Sequence, residues 1–403
     1  LTTYQMLQPL MISALGELVV ARVPYSANET LQAFDQADVL ALEYLQAEAL
    51  LNTQSRVLMV NEPFGAITCG VTKAMVALDG SLPTLWSDSH IAHLGLQHNA
   101  YANQLPLAHF VPAQKTPQGP FDLVLFRLPK SHALLRDQLQ RILPQLTPSA
   151  LIIMPIMVKH MDKAVYQLLE SLLGTVTTSL ARKKARLVFA GNHGGINAAS
   201  NAGSNARENK AALKQTLKPA ETSWELPSYG LFLHHFSGVF SRTKLDPGAQ
   251  VLLHLFPKGP FQRIIDLGCG NGIQAIVAAK KWPQCEVIGI DESYMAVASA
   301  TINATANGVA AQCAFIAGDC LTEIPSQSAD LILCNPPFHQ ERVMGDQIAM
   351  RMFAQAAQVL TASGEFWVVG NRHLGYHAKL KRWFSRVEQV GGHPKFVVLK
   401  AQL

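Results

Sequence analysis

Two short stretches in the C-terminal half carry residue types that can do chemistry. The first, "DLILCNPPFHQ" from Asp330, sets Asn335, Pro336, Pro337 and Phe338 directly after an apolar run. Proline has no N–H to give to a β-ladder, so a strand must end there. It leaves an amide carbonyl, a ring-stiffened backbone and an aromatic face at the mouth of a sheet. The second stretch, "DLGCGNG", runs from Asp266 to Gly272. Glycines after a strand let a ligand approach the main chain, and the helix that follows offers free N–H groups. Gly268, Gly270 and Gly272 are spaced G-x-G-x-G and residue 273 is Ile273, whereas dinucleotide sites require G-x-G-x-x-G. Roughly twenty residues on, Asp291 ends "VIGIDES", where a carboxylate can accept from two ribose hydroxyls. Asp319 in "IAGDC" can accept from an adenine amino group. Either acid alone could equally cap the next helix; with the glycine loop in register, a nucleotide-type ligand is the better account.

The elements that must position these residues alternate between two periods. Strand-like runs "RIIDLGCG", "CEVIGIDES", "CAFIAGDC", "DLILCNPP", "GEFWVVGN" and "KFVVLKA" are separated by helical patterns, among them "MRMFAQAAQVL" and "HAKLKRWFSRV". This order predicts βαβ units and a mostly parallel sheet covered on both faces. The first half follows the same plan. "RVLMVNEPFGAIT" stands for "RIIDLGCGNGIQ", and "DLVLFRLPK" for "DLILCNPPF". "LTPSALIIM" stands for "LTASGEFWV", and the interval from Asn99 to Asn103 echoes that from Asn303 to Asn307. Matches in one order imply an internal duplication of a whole α/β domain. The Gly-, Asn- and Ser-rich stretch beginning "GNHGGINAASNAGSN" reads as a linker. The expected organisation is a first domain over 1–195, a linker over 196–220 and a second domain over 221–403.

Composition sets the outer limits. At 403 residues, 49% hydrophobic and 15% charged, the chain has enough apolar material for two cores. A formal net charge of +5 is mildly basic, compatible with an RNA partner without requiring one. The six cysteines form no C-x-x-C pair, so no zinc or other metal site is expected, and reduced, buried thiols are. No signal-peptide pattern and no membrane-spanning run is evident, so the expectation is a cytoplasmic protein with no membrane partner. The apolar stretch from Leu10, interrupted by Glu17, reads as core.

The second half resembles the class I S-adenosylmethionine-dependent methyltransferases, which implies a Rossmann-like fold and that cofactor. The resemblance gives Asp266 and the loop of Gly268, Cys269, Gly270, Asn271 and Gly272 the methionine end. It gives Asp291 the ribose, and sets Asp319 and Cys320 beside the adenine. For a methyl acceptor that is an exocyclic amino group, the lone pair is delocalised into the ring. A site helps by accepting both N–H bonds, so that the nitrogen becomes pyramidal. The carbonyl of Asn335 and the backbone carbonyl of Pro336 are two such acceptors, and Phe338 is a stacking face. No strong base is needed before transfer, and holding the nitrogen in line supplies most of the rate.

"NPPF" also occurs in methyltransferases for DNA adenine and protein glutamine. Combined here with "FSRTKLDPGAQVLL" from Phe240 and with the duplicated plan, it resembles the bacterial ribosomal RNA guanine-N2 methyltransferases over nearly the whole chain. "LCNPPFHQ" and "GEFWVVGNRHLGYHAKLKRWF" are more similar to the large-subunit than to the small-subunit group. The resemblance implies methylation of a guanine N2 in 23S ribosomal RNA, with 16S RNA, DNA adenine and protein glutamine as alternatives. It sets Phe240, Ser241, Arg242 and Asp246 over the cofactor, though capping or packing would also explain them. His339 is either a substrate contact or a loop brace. The expected partner is protein-free or partly assembled ribosomal RNA, bound by a monomer.

In the first copy each chemical piece is altered. "NEPFGAI" replaces the glycine loop, with Asn61 read in the place of Asp266, and "RLPK" puts Arg127 and Lys130 where Asn335 and Phe338 stand. A non-catalytic domain that holds RNA or supports its partner is expected. The basic runs from Ala181, Arg207 and His377 fit phosphate contacts, and Arg127 and Lys130 add to them, although each run alone also fits a solvated face.

Overall fold

A computed structural model describes residues 10–25, 31–191, 219–337 and 342–403. Most of the expected linker, 196–218, and both Phe338 and His339 lie outside the described residues, as does the basic run from Arg207. The chain divides into two compact units, Leu1–Pro219 and Ala220–Leu403.

The first unit opens with a hairpin of β1 (Leu10–Ser13) and β2 (Gly16–Val19). A seven-stranded sheet follows, built from β3 (Val57–Val60), β4 (Thr84–Ser87), β5 (His109–Pro112), β6 (Phe121–Phe126), β7 (Leu146–Met157), β8 (Val176–Thr178) and β9 (Ala185–Gly191). Its order is β5-β4-β3-β6-β7-β9-β8, parallel except where β9 pairs antiparallel with β7 and β8. The second unit repeats this arrangement. After the hairpin of β10 (Glu221–Leu226) and β11 (Leu231–Phe236) come β12 (Arg263–Leu267), β13 (Glu286–Asp291), β14 (Cys313–Ala317), β15 (Ala329–Cys334), β16 (Leu360–Asn371), β17 (Arg386–Gly392) and β18 (Phe396–Gln402), in the order β14-β13-β12-β15-β16-β18-β17. The central strands "VLMV" and "RIIDL" are buried without alternation, Arg263 at the start of the second excepted, as expected where both faces of a sheet are covered.

The run from Leu10 is partly core: Met11 and Leu18 are buried, while Leu10 and Ile12 are exposed on the hairpin. The expected helix "HAKLKRWFSRV" is a single turn, Tyr376–Leu380, and its end belongs to strand β17. Four cysteines are buried and all six are free, but Cys313 and Cys320 are only half-buried. Among the described residues no helix is long and apolar enough to cross a membrane.

The Asn echo seen in the sequence has a mechanical role. In the first unit Asn99 and Asn103 each clamp one residue of the chain at and just after β2 through paired side-chain bonds. The Ala21 N–H donates to Asn99 Oδ1 at 2.9 Å, and Asn99 Nδ2 returns to the Ala21 carbonyl. Asn103 does the same with Val19. In the second unit Asn303 and Asn307 hold His234 and Phe232 of β11 in the same way. Both hairpins are thus tied to a helix, and the duplication includes them. Asn303 Nδ2 also reaches the carbonyl of Asn271 at 2.9 Å, so the tie extends into the glycine loop. Asn303→Ala should lower stability by about 3 kcal/mol, because it strands buried backbone groups. It should also weaken binding at the loop; a thermal melt and ligand titration check both.

Candidate functional site

The strand order reverses beside β12, and the loops after β12, β13 and β15 meet there at the carboxyl ends of the strands, where open α/β sheets bind ligands. Asp266 sits one residue before the end of β12 and is fully buried. Its Oδ2 accepts from the Ala275 N–H at 3.0 Å, while Oδ1 is buried and has no partner. Burial pushes its carboxyl up to about 7; the Ala275 N–H opposes this and Asp291 adds to it.

The loop after it is held open from behind. The Gly270 N–H donates to Asp291 Oδ2 at 2.9 Å, and the Ser293 N–H to Asp291 Oδ1 at 3.0 Å. Gly270 has φ 53° and a Cβ there would meet nothing within 4 Å, so the loop faces open space. Gly272, at φ 79°, opens the helix Ile273–Lys281; a Cβ there would come within 2.8 Å of Ala300. Asn271 does not face that space. Its Oδ1 accepts from the Ile273 N–H and its Nδ2 donates to His235 Nε2 at 2.7 Å. His235 is buried and stacked on Trp224, and burial lowers its pKa to about 4, so it stays neutral and accepts. Burial pushes the Cys269 thiol well up, which leaves it inert.

Asp319 is paired with Arg351, whose Nη2 also lies 3.2 Å from Cys320 Sγ. The sequence reading missed Arg351, although it is the one charged residue in the apolar helical run from Ile348 to Ala357. Met352 was missed as well; its Cε stands 3.7 Å from where a Cβ of Gly268 would be. His235 carried no motif at all.

Asn335 follows β15 directly, and its backbone carbonyl oxygen lies 4.0 Å from the Cβ position of Gly268. Its Nδ2 donates to Asp246 Oδ2 at 3.0 Å, and its Oδ1 is buried without a partner. Asp246 also caps the helix Pro247–His254 through the Ala249 N–H at 2.9 Å. Pro336 is buried. Phe240 is 57% exposed and Ser241 has φ 58°. Arg242 is engaged by Thr222 of β10 at 3.0 Å. Among the described residues no group of acids, histidines and cysteines could hold a metal.

The donor set fits S-adenosylmethionine: an unpartnered buried carboxylate oxygen beside an open glycine loop suits its cationic methionine end, and Asp291 keeps lone pairs for ribose hydroxyls. The same positions in the first unit are closed. The αL residues Gly65 and Gly272 open matching helices, and the Arg56 and Arg263 N–H groups both donate to an Asp on the neighbouring strand. That register sets Met59, not Asn61, against Asp266; Asn61 matches Gly268, and both have positive φ. Glu62, buried and pushed up to about 7 by burial, accepts from the Ile67 and Thr68 N–H groups and the Thr68 hydroxyl. Asn61 and Gln138 exchange two bonds of 2.7 Å. Trp86 fills the next place, under Arg141 at 4.9 Å, and Ser87 replaces Asp291. Arg127 is paired with both Asp35 and Asp38, so it is neutralised within the unit and is not the phosphate contact expected of it.

This fold and site define a class I S-adenosylmethionine-dependent methyltransferase domain preceded by a degenerate copy. Residues 230–400 match the Methyltransferase small domain model, and residues 9–194 the RLMG N-terminal domain. The chain is 43% identical over 396 residues to the ribosomal RNA large subunit methyltransferase G of Ectopseudomonas mendocina, covering 98% of this chain and 99% of that one. It is 44% identical to that of Stutzerimonas stutzeri, with the same coverage. It belongs to the ribosomal RNA large subunit methyltransferase G family. The solved T. Thermophilus 16S rRNA N2 methyltransferase RsmC, in complex with AdoMet and guanosine, shares the fold with a TM-score of 0.70 at 19% identity, over 98% of this chain and 97% of that one.

Two outcomes follow from this geometry. A cation bound beside Asp266 favours its ionised form, so binding releases a proton below pH 7 and none above. Cofactor affinity by calorimetry should therefore rise by up to about tenfold per pH unit towards neutrality and then level off, and Asp266→Asn should flatten the profile. In the first unit, Arg127→Asn leaves the buried Asp38 unpaired, at a cost of about 3 kcal/mol in a thermal melt. It should leave cofactor stoichiometry at one per chain.

Proposed function

We propose that this protein methylates the exocyclic N2 of a guanine in 23S ribosomal RNA, using S-adenosylmethionine. The observation that carries the reading is the Asn335 amide: its donor is fixed on Asp246 and its acceptor oxygen is left buried and unpartnered, on a residue whose backbone carbonyl borders Gly268. Bound, S-adenosylmethionine supplies an electrophilic methyl group on a sulfonium. Asp266 and the Gly268–Gly272 loop hold its methionine end, Asp291 the ribose, and the Asp319–Arg351 pair with Cys320 borders the adenine.

The protein's part is orientation. Asn335 Oδ1 and the Pro336 carbonyl accept the two N–H bonds of the amino group, which turns its lone pair out of conjugation and along the line of attack. Phe338 stacks on the base. No residue need remove a proton before transfer, since the methylated nitrogen is acidic and loses its proton to water. Most of the acceleration comes from position and from acceptors that are fixed before the base arrives. The large-subunit target rests on the relatives' shared name and on near-complete coverage. The unit over 1–195 serves as a non-catalytic RNA support and that over 221–403 as the catalytic domain. The closed cleft of the first unit supports this division. So does an exposed basic turn near Lys183 and Lys184, although Arg182 beside them is paired with Glu43 and Lys379 of the last basic run with Asp346.

The direct test is transfer of labelled methyl to protein-free large- and small-subunit RNA, followed by nucleoside mass spectrometry. N2-methylguanosine in large-subunit RNA is expected, and the same product only in small-subunit RNA would move the target. Asn335→Ala should bind cofactor normally yet lose at least about a hundredfold in turnover, as removal of a preorganised hydrogen-bonding group does elsewhere.

A further inference from the structure

The Asp246 carboxylate is not used up by its two known bonds. Both the Ala249 N–H and Asn335 Nδ2 converge on Oδ2, and Oδ1 has no partner among the described residues. Asp246 is 8% exposed and holds the Asn335 amide, so a carboxylate oxygen with nothing to accept from within the described protein belongs to a residue in direct contact with Asn335. Its counterpart in the first unit is different. Asp35 caps the matching helix, and there Oδ1 takes the Ala37 and Asp38 N–H groups while Oδ2 takes Arg127. Capping therefore does not require an idle oxygen, and the catalytic copy is the one that has it.

We infer that Asp246 reads the guanine edge: its Oδ1 accepts the N1–H while Asn335 Oδ1 accepts an N2–H. These two donors are neighbours on guanine, and a carboxylate next to an amide carbonyl presents two acceptors to match them. Adenine carries an acceptor at N1, which would face the carboxylate repulsively, so the same pair rejects adenine. The bond is charge-assisted and draws the N1 proton towards the protein, which raises electron density on the exocyclic nitrogen that must attack. Asp246 thus sets base specificity and also fixes the orientation of the amide. The inference rests on the reading of Asn335 as the amino-group acceptor.

The test replaces the methylated guanine, once mapped, with 2-aminopurine, which keeps the amino group but has an acceptor at N1. Wild type should lose about 10- to 100-fold in kcat/KM on this RNA. Asp246→Asn can still cap and still accept from Asn335 through its one oxygen, but it turns an NH2 towards N1. It should reverse the preference, with guanine poorer and 2-aminopurine better. Asp246→Ser, which caps but does not reach the base, should bring the two substrates close to equal and serves if the Asn variant fails to fold. An unchanged guanine to 2-aminopurine ratio in these variants, with cofactor affinity intact, would overturn the assignment while leaving the methylation of guanine standing. Wild-type enzyme that forms no N2-methylguanosine would overturn the underlying function and the assignment with it.

Discussion

Asp266 places a carboxylate at the end of the central strand, out of water, with one oxygen paired and the other left over. Burying a charge without a partner is costly, and a protein normally neutralises it, pairs it or removes it. Here the first two responses are both visible. Burial raises the pKa to about 7, and the second oxygen is left without a partner two residues before Gly268, where a bound cation would complete the set. The rest of the site follows from keeping that place empty of protein. Gly270 must lack a side chain, Asp291 must hold the loop from behind, and Asn303 must anchor Asn271. In the first copy Met59 stands where Asp266 would be, the demand for a ligand disappears, and the surrounding residues have grown into the space.

The two copies therefore share sheet order and hairpin ties and differ where the second carries chemistry. The Asn pairs that tie each hairpin to its helix recur with the same donors and acceptors, as does the Asp that receives the N–H groups at the start of the central strand. The divergence that removes the ligand site lies at the carboxyl edge of the sheet, where function on this fold resides. What replaced it is well bonded rather than loose. Glu62 caps a helix from inside the old loop, Asn61 pairs with Gln138, and Arg141 packs over Trp86. Once no ligand has to enter, filling the cleft only stabilises.

The sequence displayed the second domain's loop, its acids, the Asn-Pro-Pro corner and the duplication, because each lies within a few residues or repeats at fixed intervals. The remainder is long-range. The bond from Asn335 to Asp246 spans 89 residues, and nothing local at either end announces it. Arg351 reaches Asp319 over 32 residues. The hairpin β10–β11 lies within the expected second domain, in a stretch, "ETSWEL" then "LFLHHF", for which no strands were expected. The Asn61 misalignment arose because "NEPFG" and "DLGCGNG" share only their last glycine. Identity of type, Asn for Asp, suggested a match that the strand register contradicts.

The corner after the fourth strand shows which partner is fixed and which is free to change. In both copies an acid caps the same helix and grips the residue that ends the strand. Asp246 holds Asn335, and Asp35 holds Arg127. An amide held by its NH2 must turn its oxygen the other way, so one bond at a helix cap determines that the site presents an acceptor. A guanidinium held by the same acid has only donors, recruits a second acid in Asp38, and ends as a neutral cluster. The scaffold thus supplies the grip. The residue gripped decides whether the cleft accepts an amino group or closes upon itself.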